Sequence, residues 1–115
     1  MAQYTEEISL ADVKVGDRWV GVTIGPVTVN GDTPSQTLSR VVMTFRLGAT
    51  TFTLDSDDGD ITISDSATWE VEIPAQDSFL PRSGKWQWEL VFWRTGVTSP
   101  WTLYRGVLVC HDDLD

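Results

Sequence analysis

The chain has almost none of the residues that form cross-links or carry acid–base catalysis, with one cysteine, Cys110, and one histidine, His111, among 115 residues. A lone thiol closes no internal bridge, which excludes a disulfide-stapled secreted scaffold and points to folding in a reducing cytoplasm. The lone histidine opens the acidic tail 111–115, where no positioned nucleophile or orienting group accompanies it, so a Ser–His or Cys–His enzyme is not expected. Basic residues are scarce as well: 8 Lys and Arg against 17 Asp and Glu give a formal charge of −9. Such a charge repels phosphate backbones and anionic lipid surfaces, and neither nucleic acid nor membrane is expected as a direct partner. No apolar run approaches the roughly 20 residues of a membrane-spanning helix. The N-terminal Met1-Ala2-Gln3-Tyr4-Thr5-Glu6-Glu7 lacks the basic region and apolar core of a signal peptide. Helical periodicity, fixed-length repeats and a glycine-rich phosphate loop are missing too, so no nucleotide cofactor is expected.

What the chain has is alternation. In the run from Gly84 to Arg94, Trp86, Trp88, Leu90 and Phe92 fall on one face and Lys85, Gln87 and Glu89 on the other, the pattern of a half-buried central strand. Ser39 to Leu47 alternates equally well, with Val41, Met43, Phe45 and Leu47 inward and Arg40, Val42, Thr44 and Arg46 outward. Trp69, Val71 and Ile73 oppose Glu70 and Glu72, and Pro74 ends that strand because it has no N–H for the ladder. Val20, Val22 and Ile24 form an aliphatic face after Gly16-Asp17. Phe52 with Leu54 and Ile61 with Ile63 predict a hairpin closed by Asp58-Gly59. The proline- and glycine-rich stretch 25–37 predicts a loop holding one short extended piece, Val27-Thr28-Val29. Phe79 and Leu80 anchor a polar crossing between Pro74 and Gly84. The last strand runs from Trp101 to Cys110, with a bulge or close backbone approach expected at Gly106.

Seven or eight short strands with turns every eight to twelve residues predict one all-β domain over 1–115, an immunoglobulin-like antiparallel sandwich without its usual disulfide. Residues 1–15 would add an edge strand or arm, and 111–115 an acidic tail. The predicted core is Trp86, Trp88, Leu90, Phe92, Trp69, Val71, Val41, Met43 and Phe45, where each buried ring supplies about 2–3 kcal/mol.

Six tryptophans are more than a chain of this length ordinarily carries. Trp93 and Val91 continue the polar row of their strand, Trp19 is out of phase with Val20 and Val22, and Trp101 follows Pro100 at a strand entry. Trp93, Val91, Trp19 and Trp101 are therefore the candidate protein-interface residues, as desolvated anchors in a polar rim. The alternatives are cover by the opposite sheet or a loop, and flat platforms for sugar rings in a module binding host glycans. The acidic group Asp55, Asp57, Asp58, Asp60 and Asp65 invites a calcium reading, but aligning Gly59 with the glycine of a calcium loop puts Leu54 where the first oxygen ligand belongs. A solvated turn is the better reading, no metal or other cofactor is expected, and a metal-dependent hydrolase is the weakest alternative.

The order of these features resembles the small immunoglobulin-like domains of tailed bacteriophages, found at the N-terminus of baseplate upper proteins and in fibre-attachment, neck and head-decoration components. The resemblance covers most of the chain after residue 15. It rests on Gly16-Asp17 before the first clear strand, the Leu47 to Leu54 segment followed by an Asp-Gly turn, and Trp69-Glu70-Val71-Glu72-Ile73-Pro74. It continues through Ser83-Gly84-Lys85-Trp86-Gln87-Trp88-Glu89-Leu90 and Leu103-Tyr104-Arg105-Gly106-Val107-Leu108-Val109. What it implies is a non-enzymatic virion protein, assembled in the host cytoplasm, whose partners are other virion proteins and copies of itself. Baseplate upper proteins continue into a longer host-facing part, so a chain ending at Asp115 would serve as a free-standing adaptor or decoration subunit.

Overall fold

The computed structural model describes residues 6–7, 13–14, 21–28, 31–75 and 83–111. Two very short strands, β1 (Glu6–Glu7) and β2 (Val13–Lys14), precede seven longer ones: β3 (Val22–Ile24), β4 (Leu38–Leu47), β5 (Thr50–Asp55), β6 (Thr62–Asp65), β7 (Glu70–Ile73), β8 (Gly84–Arg94) and β9 (Trp101–His111). They form two sheets packed face to face. The larger has the order β1-β9-β8-β4-β5, with β2 also on β9, and the smaller has the order β3-β7-β6. With β3, β7 and β6 taken as strands B, E and D, and β9, β8, β4 and β5 as G, F, C and C′, this is the immunoglobulin-like arrangement. The short N-terminal strands pair with β9 in parallel, and every pairing among β3–β9 is antiparallel.

All nine residues of the expected core are buried. Val41, Met43, Phe45, Trp69, Val71, Trp86, Leu90 and Phe92 are fully buried and Trp88 is 3% exposed. Ile24, Val27, Leu38, Leu54, Ile61, Ile73, Leu103, Leu108 and Cys110 complete the cluster, which contains no polar or charged residue among the described residues. Its aromatic centre is Trp69, stacked 5.9 Å from Phe92 and tilted 5.9 Å from Trp101, with Nε1 donating to the carbonyl of Gln36 at 2.8 Å. Trp69 occupies the left-handed region at φ 59°, a conformation that bulky residues rarely adopt. Surrounding contacts hold it there: the neighbouring Thr68 carbonyl accepts from Val27 N–H at 2.9 Å, and Gly25 passes directly beneath. A Cβ at Gly25 would come within 2.6 Å of the Trp69 carbonyl oxygen, so only glycine lets the chain leaving β3 pass so close to β7.

Several expectations need correction. The predicted hairpin between 50–54 and 61–63 does not exist. Instead β5 pairs with β4 through a two-residue turn at Gly48-Ala49, Gly48 having the positive φ of 58° that a tight hairpin turn needs at its first position. β6 belongs to the other sheet and pairs with β7. Both runs alternate alike because both face the same core, one from each side of it. Asp58-Gly59 therefore closes a crossing between sheets: Ser56–Asp58 form a 3-10 turn capped by Asp55, whose carboxylate accepts from Asp57 N–H at 2.9 Å. Gly59 at φ 84° donates its N–H to the Ser56 carbonyl and ends the turn.

Val27-Thr28 is not a strand, although Val27 is buried. The irregularity in β9 lies earlier than Gly106, since the register with β8 shifts between the pairs Leu90–Tyr104 and Val91–Thr102, making Leu103 the extra residue. Gly106 instead sits opposite Trp88. His111 ends β9 and does not open a tail. Trp19, Val20, Val29, Phe79, Leu80 and residues 112–115 lie outside the described residues.

Candidate functional site

The antiparallel register of the large sheet builds its outer face from named rows. Asp55, Val42, Val91 and Thr102 lie side by side across β5, β4, β8 and β9. Beside them run Thr53, Thr44, Glu89 and Arg105, then Thr51, Arg46, Gln87 and Val107, and the Lys85–Val109 and Arg40–Trp93 pairs close the two ends. No described strand packs on this face.

Trp93 and Val91 are brought together here, both half-buried. Trp93 is not a bare indole. Its cross-strand neighbour Arg40 places its guanidinium 5.0 Å from the ring centroid, a cation–π contact. The same guanidinium forks onto Asp55, donating through Nε to Oδ1 at 3.1 Å and through Nη2 to Oδ2, and lies 3.4 Å from the Asp57 carboxylate. This hydrogen bonding holds the Asp55 carboxyl below the usual carboxylate range and raises the Arg40 guanidinium. An indole in a polar row is thus explained by the arginine opposite it.

At the other end of the face, Thr44, Arg46, Gln87, Glu89, Arg105 and Val107 line an open depression of about 340 Å³. Val107 is 46% exposed, the most exposed large aliphatic among the described residues. Sequence reading assigned Arg46, Gln87 and Glu89 outward but missed Arg105 and Val107, because the bulge at Leu103 breaks the parity that would have placed them.

Trp101 is not part of this face. It lies opposite Phe92, packs against the core cluster, and has the Arg94 guanidinium 3.9 Å above its ring. Asp32, Ser35, Gln36, Trp69, Arg94 and Trp101 border a second concavity of about 280 Å³ at this end of the sandwich. Among the described residues the hydrogen bonds of Arg94 are long, to Gln36 Oε1 at 3.5 Å and the Ser99 carbonyl at 3.4 Å, and its Nε is buried without a hydrogen-bond partner.

The acidic residues serve the local backbone. Asp55 caps the 3-10 turn, Asp60 accepts from Asp55 N–H at 3.2 Å, and Asp65 accepts from Ala67 and Thr68 N–H at 2.9 and 3.2 Å. Among the described residues no three His, Cys, Asp or Glu side chains converge as metal ligands would. Cys110 is a free thiol at 2% exposure, and burial pushes its pKa up, which disfavours the reactive thiolate.

No protein-family model, curated protein or solved structure compared with this chain matches it.

Proposed function

We propose that this chain is a non-enzymatic structural subunit of a phage virion, an assembly or adaptor component of the tail, baseplate or fibre-attachment region. The observation that carries the reading is the outer face of the large sheet, where Val91 and Trp93 at one end and Val107 at the other are set among arginine, threonine and glutamine. Apolar groups dispersed in a polar rim suit a docking surface, and contacts that are weak singly suffice when many copies sit on one particle. The immunoglobulin-like order of strands fits the resemblance noted above, and a head-decoration or neck subunit of the same fold is the neighbouring reading.

A glycan module is less favoured for a specific reason. A sugar ring stacks on an open indole face, whereas Arg40 occupies a face of Trp93 and Arg94 a face of Trp101.

Sedimentation of the purified chain tests the proposal. A defined or growing oligomer is expected, weakened by Trp93→Ala without loss of the β-sheet circular-dichroism spectrum. A chain that remains monomeric at high concentration, and whose tryptophan fluorescence is quenched by oligosaccharides, would overturn it in favour of glycan binding. Electron microscopy of intact particles would then place the subunit.

A further inference from the structure

An exposed sheet edge is a template for another strand unless something blunts it, and most edges of this sandwich are blunted. On the large sheet, β9 is covered by the parallel pairs to β1 and β2, each two residues long. On the small sheet, β3 has three residues, and β6 has four with an irregularity between Ile63 and Asp65. β5 is the exception. Its six residues, Thr50-Thr51-Phe52-Thr53-Leu54-Asp55, run in unbroken register along β4 and include no proline, glycine, lysine or arginine. No described strand lies on its other side.

How much of that edge is open follows from Asp55. Its N–H donates to Asp60 Oδ2 at 3.2 Å and its carbonyl accepts from Asp60 N–H at 3.1 Å, so both groups point away from β4 and are capped. Alternate residues of a strand turn their N–H and C=O the same way, which aims those of Thr51 and Thr53 outward too. Both threonines are exposed. Between them Phe52 is half-buried at the rim of the core, its ring 6.0 Å from that of Phe45. The free run is therefore short, bounded by the Gly48-Ala49 turn at one end and by Asp60 at the other.

We infer that β5 pairs antiparallel with β5 of a second copy of this chain, about a two-fold axis at Phe52 that sets Thr51 of each copy opposite Thr53 of the other. In this register the threonines exchange N–H···O bonds in both directions, and the two Phe52 side chains meet in a non-hydrogen-bonded pair, the closer of the two kinds. A longer foreign strand would run into the cap or the turn. An identical strand offers a free run of the same length, sets no charge opposite another, and closes the contact on itself. Phe52 faces the core side in both copies, so the axis stands normal to the sheet and the outer faces carrying Val91, Trp93 and Val107 lie side by side. The assembly reading above leaves this edge unused, and the dimer doubles the valency of the face which that reading does use. An edge of this length falls short of the roughly 800 Å² per partner of a stable complex, so the dimer forms at high concentration or where copies are already gathered.

Register-specific charge provides the test. Sedimentation equilibrium of the wild type up to about 1 mM should show a monomer–dimer equilibrium, and amide exchange at Thr51 and Thr53 should slow as the dimer fills. Thr51→Glu with Thr53→Glu sets like charges opposite each other at both symmetric positions and should weaken dimerisation about tenfold. Thr51→Glu with Thr53→Lys sets opposite charges there and should restore it to at least wild-type strength. The first substitution, beside Arg46, is common to both variants, so only position 53 differs between them. Thr53→Pro removes an outward N–H that the β4 ladder does not use, and should weaken the dimer about tenfold with the fold intact. Trp93→Ala, on the outer face, should reduce only association beyond the dimer, which separates the edge contact from the face contact. If the two charge variants associate equally, or Thr53→Pro associates like the wild type, the inference fails while assembly through the outer face stands. If the wild type stays monomeric throughout, the inference fails as well, and the presence or absence of the chain in purified particles decides the assembly reading separately.

Discussion

On the inner face of β8, Trp86, Trp88, Leu90 and Phe92 are 0–3% exposed, whereas on its outer face Glu89, Val91 and Trp93 are half-buried and Lys85 and Gln87 are exposed. The inner row belongs to the buried core cluster, in which Phe92 stacks on Trp69 of the facing layer. The outer row is held by cross-strand pairs of mixed chemistry, with arginine beside tryptophan, valine beside valine and glutamate beside arginine. Changes inside should therefore be felt as lost stability. Changes outside should leave the fold standing and alter what the surface can bind.

The strongest way to break the inner side is at Trp69, where Phe92 and Trp101 converge and where the indole N–H is hydrogen-bonded. Trp69→Ala leaves a cavity in a core without polar residues to rehydrate it, and should cost about 4 kcal/mol in chemical denaturation. A loss as small as that of an exposed substitution would show that the two sheets are not held together through this residue.

A finer comparison separates two buried indoles. Trp69 Nε1 has the Gln36 carbonyl at 2.8 Å, while Trp88 Nε1 is buried with no hydrogen-bond partner among the described residues. Phenylalanine removes the N–H and a similar volume at both sites. Trp69→Phe should then cost about 1 kcal/mol more than Trp88→Phe, since only the first breaks a bond and strands an acceptor. Equal costs would mean that the Trp88 N–H is bonded after all.

How much of this was legible in the sequence follows from what alternation reports. Period two tells which face of a strand is buried, and it placed Val41, Met43, Phe45, Trp69, Val71, Trp86, Trp88, Leu90 and Phe92 correctly, with the sandwich that follows from them. It does not name the partner strand. Phe52/Leu54 and Ile61/Ile63 face one core from opposite sheets, so they looked like a hairpin until the Asp55-capped turn was seen to carry the chain across. It also fails at a bulge, where one extra residue, Leu103, inverted the apparent parity of β9 and hid Arg105 and Val107. The candidate surface was half legible for the same reasons. Trp93 announced itself as out of phase, but the arginine that accounts for it sits 53 positions earlier and meets it only through the pairing of β4 with β8.

The gentlest test of the contrast is a titration of the Arg40–Asp55 pair at the apolar end of the outer face. Hydrogen bonding from Arg40 is the largest influence on Asp55 and depresses its pKa. The folded state thus holds this carboxylate ionised more firmly than the unfolded chain does. The stability it contributes is fully present above the unfolded carboxylate pKa of about 4, and it is lost as the pH falls through the lower folded value. Asp55→Asn should therefore lower Tm by a few degrees at neutral pH, less than either indole substitution in the core, because the Arg40 side chain is 41% exposed and the pair is screened. The gap between variant and wild type should narrow in acid, close once both folded and unfolded carboxyls are protonated, and shrink at high salt. A gap that persisted unchanged into strong acid would mean that Asp55 matters as the cap of its 3-10 turn and not as the counter-ion that holds Arg40 against Trp93.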